Sequence, residues 1–197
     1  LTEFGRTPDG LKIMPAITPI IGGTREEAEQ LQRDLDALIP AQIAISKLQG
    51  YLAGFDLAAY APDAPFPELP AEMMQGQNST RDRVVDLAAR EGLTIAEVAQ
   101  RVAAGRTSRT VVGTAEDVAD ELEEWFGSGA ADGFVISPPF LPGGLDDFVD
   151  QVVPVLQARG LFRREYEGVT LRENLGLARP ANVFELDPTL RAKPEIW

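Results

Sequence analysis

Apolar residues along this chain alternate between short bunched runs and longer stretches with a helical period, and the order of the two predicts the fold. Leu11-Lys12-Ile13-Met14-Pro15-Ala16-Ile17-Thr18-Pro19-Ile20 is apolar enough for a strand. Pro15 and Pro19 would each remove a ladder donor, which predicts a strand that is short, bulged or at a sheet edge. Gly22-Gly23 then turns the chain, and Thr24 with Glu27 has the form of a capping box. Ala28, Leu31, Leu35, Leu38 and Ile39 line one face of the helix that follows, up to Pro40. Thr110-Val111-Val112 and Gly133-Phe134-Val135-Ile136-Ser137 are further strand-like runs. Between them Thr114 with Asp117 opens a helix carrying Val118, Leu122, Trp125 and Phe126, which Gly127 and Gly129 stop. Past a turn at Pro138, Pro139 and Pro142, a last helix shows Leu145, Phe148, Val149, Val152, Val155 and Leu156 on one face, with Pro154 as an expected kink. Strand, helix, strand, helix with short connections is the repeating unit of a parallel α/β sheet.

Between these units, over 41–106, the rhythm changes. Residues 41–60 are mixed, with Gly50, Gly54, Tyr51, Phe55 and Tyr60, and 61–70 holds too many prolines for a regular element. Ser79 or Thr80 can cap a helix carrying Val84, Leu87 and Ala88; Gly92 breaks it, and Thr94 with Glu97 opens another, with Val98 and Val102 inward. The segment is too long and irregular for an ordinary loop, so we expect an insertion over the mouth of the sheet, mobile because it makes few apolar contacts. The expected organisation is a β/α unit over 1–40, the insertion over 41–106, two more β/α units over 107–160 and a tail over 161–197.

The run Val111–Phe134, VVGTAEDVADELEEWFGSGAADGF, and the run from Pro138 to Gly168, PPFLPGGLDDFVDQVVPVLQARGLFRREYEG, followed by TLRENLGL and RPAN, resemble the end of one group of enzymes. These are the bacterial-luciferase-like flavin-dependent monooxygenases, in the branch of the nitrilotriacetate, alkane and dibenzothiophene-sulfone monooxygenases. The resemblance extends through Asn182 and is carried by one long joined motif. It implies the C-terminal part of a (β/α)8 TIM barrel, since three β/α units fall short of the eight strands and about 250 residues of a closed barrel. It also implies reduced FMN supplied by a separate flavin reductase, O2 and a small organic substrate, a missing N-terminal barrel part as partner, and a homo-oligomer. The family's active-site histidines would have to lie on that missing part, because this chain has no His. A chain that starts at Leu1 rather than Met fits the expectation of a piece.

Composition narrows the alternatives. The 18 Lys and Arg against 31 Asp and Glu leave a formal net charge of −13, which argues against nucleic acid and anionic membrane as partners. Without Cys there are no disulfides or thiolate metal sites, and without His the commonest general base is absent. No apolar run approaches the ~18 residues of a spanning helix, so a cytoplasmic protein is the expectation.

Candidate chemistry is sparse. The helix starts at Gly22-Gly23-Thr24, Gly113-Thr114 and Gly143-Gly144 could offer backbone donors to a phosphate. Each already carries acidic pairs in its first turn, namely Glu26 with Glu27, Glu116 with Asp117, and Asp146 with Asp147, so capped turns are the better reading. The same pairs lack a third oxygen ligand at suitable spacing, so no metal is expected. Gly92–Gly105 has the outline of part of a helix-turn-helix, but its lone Arg101 cannot neutralise a phosphate backbone. Position in the fold favours the C-terminal ends of the strands, where barrel enzymes carry their sites. Ser137, Pro138 and Phe140 follow one strand and Ile17 and Thr18 close another; each is either a wall of a flavin or substrate pocket or part of a rigid turn. Gln77 and Asn78, near Met73, Met74 and Gln75, suit a lid or an ordinary solvated loop. In the tail, Arg159, Arg163, Arg164, Arg172 and Arg179 should draw the segment over an acidic surface. For 176–197 a neighbouring subunit is the expected one, with Pro180, Pro188 and Pro194 preventing a continuous helix.

Overall fold

The computed structural model describes residues 3, 7–52, 55–70, 79–105 and 109–186. The chain divides into two units, 14–162, and 1–13 together with 163–197.

The larger unit is built on a parallel three-stranded sheet of β1 (Ala16–Ile21), β2 (Arg109–Gly113) and β3 (Val135–Ile136), in the order β2–β1–β3. The parallel pairing is as expected, but β1 is central where prolines predicted a short, bulged or edge strand. The hydrogen-bond parity of the ladder explains it. Val135 N donates to Pro15 O and Ser137 N to Ile17 O, so the odd residues of β1 face β3. Pro19 therefore points its nitrogen past the end of the two-residue β3, where there is no carbonyl to miss it. Consecutive barrel units would place β2 in the middle. Instead β1, buried from Ile17 to Ile21, takes the centre, and β2, which begins at the exposed Arg109, takes an edge.

β1 is buried on both faces. Ile17 and Ile21 join Val118, Ala119 and Leu122 of α5 (Ala115–Gly127) and Phe148, Val152 and Leu156 of the last helix in one core. Ile20, on the other face, is as fully buried. Helix α1 (Arg25–Ala37) packs on β1 and β2. The crossovers β1 to β2 and β2 to β3 run in opposite directions across the sheet, so right-handed connections place α1 and α5 on opposite faces. The last helix is α6 (Gly143–Asp147), a π-helical turn (Phe148–Val152) and α7 (Val153–Ala158). The expected kink at Pro154 takes this form: Val153 N–H reaches back to Phe148 O, and the widened turn accommodates a proline that has no N–H of its own.

The 41–106 segment is more ordered than its composition suggests. It contains α2 (Ala41–Tyr51), α3 (Ser79–Glu91) and α4 (Ile95–Ala103). Leu48, Leu52, Leu57, Val84, Val98 and Val102 are buried together in a core of their own, which corrects the expectation of few apolar contacts. The proline-rich stretch has no regular element, yet Phe66 N bonds to Leu93 O and Ile95 N to Ala64 O, and Phe66 and Leu69 pack on that core. Gln100 Nε2 donates to Asp36 O and Lys47 Nζ to Ala103 O at 3.2 Å.

In the smaller unit, Thr170 caps α8 (Leu171–Asn174): Glu173 N donates to Thr170 Oγ1, and Glu173 Oε2 accepts from Val169 N and Thr170 N. Asn174 ties Gly168 by a reciprocal pair of hydrogen bonds, and the Arg163 guanidinium lies 4.7 Å from the centre of the Tyr166 ring. A second short helix, α9 (Val183–Leu186), follows, so the tail is helical in places rather than extended throughout.

Candidate functional site

The 2.8 Å bond from Ser137 N to Ile17 O ties the C-terminal end of β3 to the first residues of β1, so Ile17 and Thr18, expected to close their strand, lie instead at its start, because β1 runs on to Ile21. Side-chain alternation then separates the residues chosen from sequence. Ile17 points into the core under α5 and α7 and is 1% exposed. Thr18 faces the opposite side, and the register Ile17↔Ile136, carried on one residue, sets Ser137 beside it. Ser137 is exposed and Thr18 buried. Met14 and Val135 continue the same face and remain 38% and 50% exposed, so the two hydroxyl residues sit on an apolar face open on the β3 side.

Pro138 and Phe140 are half-buried in the turn from β3 to α6. The Phe140 ring lies on the start of that helix: a Cβ at Gly143 would stand 2.8 Å from Phe140 Cε2, and one at Gly144 3.2 Å from Pro139 Cδ. Any side chain at Gly143 would displace the ring, so glycine there is required by the close approach. The Leu141–Pro142 peptide is cis. The close packing of Phe140 on the two glycines fixes the ring, which serves either reading of these residues. Gln77 and Asn78, with Met73, Met74 and Gln75, lie outside the described residues.

The starts of α1 and α5, beyond Ile21 and Gly113, carry their own caps, whereas α6 begins after Pro142 without a side-chain cap, which corrects the expectation of a capped turn at Gly143-Gly144. Thr24 N donates to Glu27 Oε2 and Glu27 N to Thr24 Oγ1, at 3.1 and 3.2 Å. Thr114 and Asp117 repeat the arrangement at 2.9 and 3.2 Å. The Thr114 backbone N–H, aided by its hydroxyl and by Arg25, holds the Asp117 carboxyl below the usual carboxylate range. Arg25 Nη2 meets Asp117 Oδ1 at 2.6 Å, a link between α1 and α5 with no local sequence signal. Each box takes two of the backbone donors at its helix start and sets a carboxylate there, which disfavours a phosphate on α1 or α5. Among the described residues no three His, Cys, Asp or Glu gather as metal ligands. Helix α4, the helix-turn-helix outline, buries Ile95, Val98, Ala99 and Val102 and packs on α2. Sequence reasoning did not foresee a cavity of about 610 Å³ beside the free edge of β2, because its walls come from α1, α3, α4, β2 and α5.

No protein-family model matches the chain. N-acetyl-S-(2-succino)cysteine monooxygenase of Bacillus subtilis (strain 168) is 48% identical to it over 182 residues, which are 92% of this chain and 41% of that protein. Nitrilotriacetate monooxygenase component A of Aminobacter aminovorans is 41% identical over 182 residues, 92% of this chain and 40% of that protein. The chain matches the C-terminal part of luciferase-like monooxygenases. This luciferase-like segment spans about 40% of the length of the curated relatives it matches. Among solved structures, EDTA monooxygenase (EmoA) from Chelativorans sp. BNC1 superposes with a TM-score of 0.59 at 38% identity, over 90% of this chain and 41% of that one. The three-stranded sheet is accordingly a partial TIM barrel.

Proposed function

We propose that this chain is the C-terminal share of a two-component monooxygenase that oxidises a small organic substrate with O2, using reduced FMN delivered by a separate flavin reductase. The observation that carries the reading is the 48% identity to a monooxygenase over 92% of the chain. When bound, the reduced flavin supplies the oxygen-activating chemistry. The residues here bind, orient and exclude water. Ile17, locked in the core, fixes the start of β1 beside the end of β3, so that Ser137 presents its exposed hydroxyl to the polar edge of flavin or substrate with the buried Thr18 behind it. Pro138 and Phe140 form a stiff rim, Met14 and Val135 an apolar floor, and Gln77 and Asn78 belong to a covering loop. The phosphate is held by the polypeptide that supplies the preceding strands, because α1 and α5 are capped by their own carboxylates.

A second reading, a non-catalytic unit that completes a barrel with another chain, is favoured by the free outer edges of β2 and β3. Titration with reduced FMN under anaerobic conditions, followed by tryptophan fluorescence, separates the two. We expect no micromolar binding by the purified chain, binding once it is combined with the N-terminal remainder of a relative, and loss of that binding with Ser137→Trp. Micromolar binding by the chain alone overturns this division of labour. Binding that Ser137→Trp leaves unchanged favours the non-catalytic reading.

The assembled enzyme is placed in the cytoplasm as a homo-oligomer. Val169, Leu171 and Leu186 are strongly exposed, which supports cover from another copy. Deleting 176–197 should lower the assembly state in light scattering; an unchanged oligomer assigns the arm to its own subunit.

A further inference from the structure

We draw no further inference here: the strongest candidate, the buried Thr110 hydroxyl that continues the row of Thr18 and Ser137 across the sheet and has no partner among the described residues, belongs to the site already described and lies on the strand whose free edge is left to the preceding strands of the barrel.

Discussion

The larger unit contains two apolar cores that solve the same problem differently. In the 41–106 segment, α2, α3 and α4 satisfy their backbone groups within each helix, so burying one stripe of each completes the core. The sheet core buries residues as fully, but its strands satisfy their backbones only through neighbours, and β2 and β3 each have one. A helical segment can thus be finished by its own residues, whereas a part of a barrel stays open at its edges however well its faces pack.

Large-to-small changes give the largest test of that contrast. Phe148→Ala should cost about 3–5 kcal/mol and Leu48→Ala about 2–5 kcal/mol in urea unfolding. Hydrogen exchange should lose protection around β1 and α5 in the first variant and around α2 and α4 in the second. Simultaneous loss everywhere in both variants would show one cooperative core and break the comparison.

The next effect is a matched pair. Thr94→Ala and Thr114→Ala each remove a capping box, one in each core, and each should cost about 1 kcal/mol. The paired carboxyls also titrate alike. Glu97 and Asp117 both lie below the ordinary carboxylate range, chiefly through the backbone N–H of their capping threonine. As pH falls the unfolded chain takes up these protons first, so the contribution is whole above the ordinary carboxylate pKa and disappears as pH drops through the lowered folded value. Stability measured from pH 7 down to 3 should fall less steeply in either Thr→Ala variant; an unchanged acid limb would refute the assignment. The smallest effect sharpens the sheet side alone. Arg25 and Asp117 are both partly exposed, so Arg25→Gln should cost about 0.2–1 kcal/mol at low salt and almost nothing at high salt.

What the sequence disclosed follows the range of the forces involved. The boxes at Thr24, Thr94 and Thr114 are three-residue signals, and all are formed. The parallel sheet followed from the rhythm of the elements, and partial membership of a barrel from the motif after Val111. Helix α2 was obscured by Gly50 and mixed composition, although Ala44, Leu48 and Leu52 keep a spacing of four. Strand order was not legible, because it depends on which backbone groups of β1 face which neighbour. Ile17 and Thr18 were paired as site residues, yet alternation along a strand already separates them onto opposite faces. The cavity between α3 and β2 brings together residues distant in sequence, and no local pattern announces it.

Pro19 in the central strand has a wider consequence. Beyond the bond from Ser137 N to Ile17 O, a parallel ladder would continue with the amide of residue 19 donating to residue 137 and that of residue 139 donating to residue 19. Both positions are proline. The zipper between these strands therefore carries its own end stop, written on both sides of the seam. Ser137 O and Pro19 O, freed from lattice duty, can receive donors from elsewhere, and the chain from Pro138 to Phe140 can diverge from the sheet without breaking any bond. Substituting either proline alone would restore one tooth; only replacing both would let the strands close further and draw the rim of the pocket down into the sheet.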